Sequence, residues 1–192
     1  MRPTYRPPGV GEGGFMPITL PLGDTERPVP RWALRLAKAL PFIVLPHCLW
    51  RLPFAVNYTM GAVDPDAPAV PWWAPGYVVG LSVLTEALCL LTTGLVAGWG
   101  EVFPRRIPLV GGRRVPVLAA VVPAVLGGLA LVALFDPMPL AWAGVLGLEE
   151  VPYRNGWWCA LARVCTGPAM LWGPIVLALA WAYYCRRRPD VR

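Results

Sequence analysis

The chain has 192 residues, of which 56% are hydrophobic and only 15% charged, with a net charge of +6. Soluble domains carry about 25% charged residues. The composition therefore excludes an ordinary soluble domain and places the chain in the membrane class. Its basic excess follows membrane topology, as shown below, and does not indicate nucleic acid.

Residues 1–31 are dense in proline and glycine and keep no hydrophobic period, which predicts a disordered tail. No apolar stretch follows its first arginines within it, so it does not read as a secretory signal. The first span is expected at about 32–57. Pro41, Pro46 and Pro53 fall inside it, along with His47 and Arg51, which are four residues apart and share a helix face. Residues 58–76 form a loop, in which Trp72 and Trp73 suit an interfacial aromatic belt.

The second span, about 77–98, holds one charge, Glu86, near its middle. Its 22 residues would rise roughly 33 Å as a helix, enough to cross a ~30 Å hydrocarbon core. A charge there costs about 2.5–3.5 kcal/mol unless it is neutralised or paired. Gly76/Gly80 and Gly94/Gly98 have the spacing that lets another helix approach closely. Residues 99–116 make a loop with Arg105, Arg106, Arg113 and Arg114 around Gly111-Gly112, and these arginines are predicted to meet anionic lipid headgroups.

The third span, about 117–135, carries no charge. In the loop that follows, residues 140–148 are expected as a short interfacial helix. The fourth span, about 157–184, contains Arg163, Pro168 and Pro174, then runs into Tyr183-Tyr184-Cys185 and the basic tail 186–192. Kinks are expected at Pro46, Pro53 and Pro168.

Orientation follows from charge. The N-terminal side through Lys38 holds six basic residues, and the 99–116 loop and the C-terminal tail hold four each. The other two loops hold Arg154 alone. Fourteen against one is a positive-inside signal: four spans, both termini cytoplasmic, in a cell inner membrane. The fold class predicted is an all-α, integral membrane four-helix bundle with proline-kinked first and fourth spans.

His47, Arg51, Glu86 and Arg163 are the ionisable residues within the spans. At about 1.5 Å per residue, His47 and Glu86 lie ~15 Å deep, and the two arginines ~9 Å below the outer surface. One reading is a structural polar knot, with Glu86 paired to Arg51 or His47. The other is an outward-opening pocket. There Arg51 and Arg163 would bind an anionic group, and Glu86 and His47 would be the candidate acid and base. No catalytic motif, metal site or cofactor motif accompanies them. The chain has one histidine, and its five cysteines, with no CxxC, read as reduced, buried thiols.

The segments WGEVFPRR, GGRRVP and LWGPIVLALAWAYYCRRR, with the arginine bias, give the chain a layout that resembles small four-span membrane proteins of actinobacterial type. The resemblance spans the second to fourth helices and carries no activity with it. The function expected is an accessory, structural or partner-binding membrane protein in contact with membrane lipids, with a membrane-protein partner or a second copy of itself. The alternatives are a small enzyme or binding protein for an anionic lipid or isoprenoid, and a proton-coupled transporter working as an oligomer.

Overall fold

A computed structural model describes residues 25–63, 71–102, 114–145, 147 and 150–188. The described residues form helices and no strand; pairing is limited to two isolated antiparallel bridges, Ala62 with Tyr153 and Val102 with Arg114. Four stretches are long and apolar enough to cross a membrane: Arg31–Val56, Ala74–Val96, Val117–Trp142 and Gly156–Arg187. They match the predicted spans to within a few residues, except that the third runs seven residues further.

The first span is helix α1 (Arg31–Arg51) followed by a 3₁₀ turn, Leu52–Val56. Pro41 and Pro46 lie within α1, while Pro53 opens the 3₁₀ turn, where a missing N–H costs little. Ala33, Ala37, Leu40, Val44 and Cys48 are all buried. Their spacing of four, three, four and four puts them on one helix face. That stripe packs on the last helix and makes α1 central to the bundle.

The second span is α2 (Ala74–Thr92) with a 3₁₀ extension, Thr93–Val96. Its hydroxyls bond back to their own helix: Ser82 to the Val78 carbonyl, Thr85 to Leu81 and Thr93 to Leu90. This satisfies polar groups where no water reaches. Helix α3 (Val117–Phe135) leads through Asp136 and Pro137 into α4 (Met138–Trp142). The interfacial helix expected at 140–148 is thus displaced. Pro139 stands in the first turn of α4, and the chain turns after Trp142 at Gly144, whose φ of +63° suits glycine.

The fourth span is broken in two. Helix α5 (Gly156–Thr166) starts at Asn155, whose Oδ1 accepts the Trp158 amide at 3.1 Å. A 3₁₀ segment, Gly167–Leu171, holds Pro168 and separates α5 from α6 (Trp172–Arg187). Helix α6 is the other central element, with Ile175, Val176, Leu179, Ala180 and Tyr183 buried.

Helices α3 and α6 cross at Gly128 and Gly173. A Cβ on Gly173 would lie 2.8 Å from the Val132 amide nitrogen and 2.9 Å from the Gly128 carbonyl oxygen. Backbone meets backbone there, the close approach that small residues allow between membrane helices. The glycines singled out in the second span do otherwise. Nothing lies within 4 Å of a Cβ on Gly76 or Gly80, and Gly94 takes the ring of Trp99 from its own chain.

Many apolar side chains face outward, among them Phe42, Leu118, Leu126, Leu134 and Trp181. Helix α3 is the extreme case, with only Gly128 and Phe135 buried. Water would oppose such a surface, whereas lipid chains accept it.

Candidate functional site

Polar side chains gather at three levels of the bundle. The middle level contains Glu86 on α2. The Cys48 thiol of α1 lies beside the Glu86 carboxyl and 3.8 Å from the Ser82 carbonyl, and Cys89 flanks the same carboxyl. Glu86 Oε1 has no hydrogen-bond partner, and among the described residues Glu86 makes no ion pair. Arg51, one turn beyond His47, is close enough to act on both His47 and Cys48. The His47 ring packs edge-on against Phe135 of α3, 5.4 Å between centroids, and its Nδ1 is unpartnered. So Glu86 sits between two thiols, while the imidazole is sandwiched toward a different helix. Cys48 and Cys89 are buried as expected, but Cys159 and Cys165 are half-buried and Cys185 is exposed.

The second level is the end of the bundle where α5 begins. Arg163 reaches Glu150 there, with Nε 2.9 Å from Oε1 and Nη2 on Oε2, and its guanidinium lies over the Trp142 ring. Nη2 also reaches the Trp142 carbonyl at 3.5 Å. This fork satisfies Arg163 with a loop carboxylate rather than with Glu86. Around it, Val63 donates to the Pro152 carbonyl and Arg154 to the Gly61 carbonyl, which joins the two loops at this end. The Arg163 hydrogen bonds hold the Glu150 carboxyl below its ordinary value of 4.5. A depressed carboxylate contributes its tie fully above that ordinary value and loses it as pH falls through the lowered one. Hydrogen exchange at residues 151–155, corrected for its intrinsic pH dependence, is therefore expected to accelerate below about pH 4.5. In Glu150→Gln the acceleration should be absent.

The third level, at the end that holds residues 25–30 and 183–188, was not foreseen. Glu101 and Arg186 form an ion pair of 2.9 Å with side chains only 4% and 5% exposed. Glu101 Oε2 accepts the Glu26 amide at 3.0 Å, and Arg186 Nη2 also donates to the Leu95 carbonyl at 3.2 Å. Arg186 Nε, also buried, has no partner. Tyr183 donates its hydroxyl to the Gly100 carbonyl, and Arg187 donates to that hydroxyl and to the Val115 carbonyl. Arg114 pairs with Glu26 at 2.8 Å, and Arg27 reaches the carbonyls of Arg186 and Arg188. Residues 25–30, read from sequence as part of a loose tail, are thereby tied to the bundle.

Local sequence explains how Glu101 gets there. The Trp99 ring covers Gly94, and Gly100 backs onto the Gly94 carbonyl so closely that no Cβ fits. This turn ends the second span and aims Glu101 inward. Tyr183, Arg186 and Arg187 stand three and four residues apart, so they face it together. That spacing was the available signal, and the sequence reading spent it on topology alone. Of the four loop arginines expected at lipid headgroups, Arg114 lies in this cluster, while Arg105, Arg106 and Arg113 fall outside the described residues.

Fold and sites together define a helical protein with four spans fit to cross a membrane and a desolvated ion pair at one end. Compared with known proteins, the chain matches no family model, no curated protein and no solved structure.

Proposed function

We propose that the chain is a multi-pass inner-membrane protein with both termini in the cytoplasm, acting as an accessory or structural protein that binds a membrane partner. The resemblance of its sequence layout to small four-span membrane proteins of actinobacterial type is in keeping with this reading. The observation that carries it is how the strongest charges are used. Glu101–Arg186 and Glu150–Arg163 each join separate parts of the chain, one pair at either end of the bundle. The buried Glu101–Arg186 pair ties the turn after the second span to α6, a use well suited to a protein whose spans are apolar on most faces. The 14-to-1 placement of basic residues supports the orientation.

Reporter fusions after residues 66, 108, 145 and 192 should read out, in, out, in. Substituting Glu86, His47, Arg51 and Arg163 one at a time should lower folded yield in each case. Normal yield with loss of a cellular phenotype would sink the structural role. Weight would then pass to a role for Glu86 itself, whose unpartnered Oε1 is open to a proton or a donor, while Arg163 is held by Glu150.

A further inference from the structure

The terminal end of the bundle has a pocket of about 240 Å³ lined by Glu26, Arg27, Glu101, Arg114, Arg186 and Arg187. That is about eight times the roughly 30 Å³ share of one water molecule. Its guanidinium groups outnumber its carboxylates four to two. The two carboxylates are engaged by Arg114 and Arg186. Arg187 donates to two neutral oxygens, those of Tyr183 and Val115, and forms no ion pair among the described residues. Arg186, another residue of this wall, has its Nε buried and without a partner. A cation without a carboxylate partner, in a cavity with an excess of guanidinium groups, is what a multidentate anion would complete.

A second, more open groove of about 430 Å³ adjoins it and shares Arg27 and Arg186. Its other walls are apolar: Pro28, Pro30, Trp32 and Trp181 among them. Trp32 and Trp181 are 46% and 66% exposed. Each lies near a helix end, at the depth where indole rings sit between headgroups and chains. The arginine pocket and the tryptophan groove thus lie side by side across Arg27 and Arg186, the first polar and the second largely apolar.

We propose that together they bind one anionic phospholipid, with its phosphate in the arginine pocket and an acyl chain along the Trp32–Trp181 groove. Basic pockets between spans on the cytoplasmic side suit anionic headgroups, which the adjacent leaflet supplies at high local concentration. The bonds added would be charge-assisted, from Arg187 to phosphate oxygens. The inference rests on the membrane placement proposed above and goes beyond it in naming a ligand class and a seat.

The test uses the full-length protein in nanodiscs of phosphatidylcholine, with rising fractions of phosphatidylglycerol. Incorporation into the disc is read first and tests membrane placement by itself. Native mass spectrometry should then find one phosphatidylglycerol retained on ejection, with phosphatidylcholine lost. The thermal midpoint should rise with the anionic fraction. Arg187→Gln should weaken retention about tenfold, the worth of one charge-assisted bond. Arg187→Lys, which keeps the charge but loses the planar fork, should fall between. Trp181→Ala should weaken retention of phosphatidylglycerol. Equal retention of both lipids by the wild type, or undiminished retention by Arg187→Gln, overturns the proposal while leaving membrane placement intact. Equal protection by inorganic phosphate at the same concentration also overturns it, since the seat would then be one for a free anion.

Discussion

Arg186→Met is expected to destabilise the protein by about 3–5 kcal/mol, because it leaves Glu101 buried and charged without its partner. Glu101 is 4% exposed on its side chain, so water cannot take over the role of the guanidinium. Its one other contact from the described residues is the Glu26 amide, too little to stabilise a full negative charge. The loss would consume a large part of the 5–15 kcal/mol typical of a folded protein. Glu101→Leu combined with Arg186→Met should recover most of the stability, since an apolar pair of similar size removes both desolvation costs. Chemical unfolding in detergent micelles would measure all three proteins. A single variant that loses less than about 1 kcal/mol would show that the pair behaves as an exposed one. Failure of the double variant to recover would assign the loss to packing around Tyr183 and not to charge.

Gly173→Leu is expected to separate α3 from α6. The added side chain has no free direction at its base, because the Val132 amide and the Gly128 carbonyl stand within 3 Å of the first carbon. Side chains can rotate away from a new methyl group, but backbone atoms move only if the helix moves. Overpacking of this kind costs about 1–3 kcal/mol. The consequence should be larger than usual here, because α6 is the main packing partner of α3. Cross-linking between cysteines introduced at facing positions of α3 and α6 should fall in the variant. Gly80→Leu is the matched control on α2, where nothing lies within 4 Å, and should leave unfolding and cross-linking unchanged. Equal loss in both variants would mean that the α3–α6 crossing has no special tightness.

These two sites differ in how well they could be read in advance. Gly128 follows Gly127 in the third span, but nothing in the sequence ranks this pair above Gly76/Gly80 or Gly94/Gly98. Spacing identifies a smooth helix face without showing whether another helix lies against it. Glu101 and Arg186 were visible only as loop and tail charges, and both had already served a topological argument. Their pairing needs the Gly94–Gly100 turn, and that depends on Trp99 covering a glycine five residues earlier. The middle cluster was half legible. Depth placed His47 and Glu86 at one level. Rotation about each helix axis then sent His47 to Phe135 and left Glu86 between Cys48 and Cys89.

By itself the sequence determined the number of spans, their approximate limits and the uneven placement of basic residues. These follow from additive quantities: transfer of each side chain to hydrocarbon, and a fixed rise per residue. The tertiary structure alone decided which helix faces meet and which charges pair. The reason is clearest in α3, part of the span with the highest mean hydropathy of the four, 2.6. A helix apolar on every side carries no polar stripe to mark its rotation, and lipid accepts any face as readily as a protein neighbour does. What fixes its rotation is the fit of Gly128 against Gly173, a contact between residues 45 positions apart. Glu101 and Arg186 likewise meet across 85 positions, brought together once the four spans have packed.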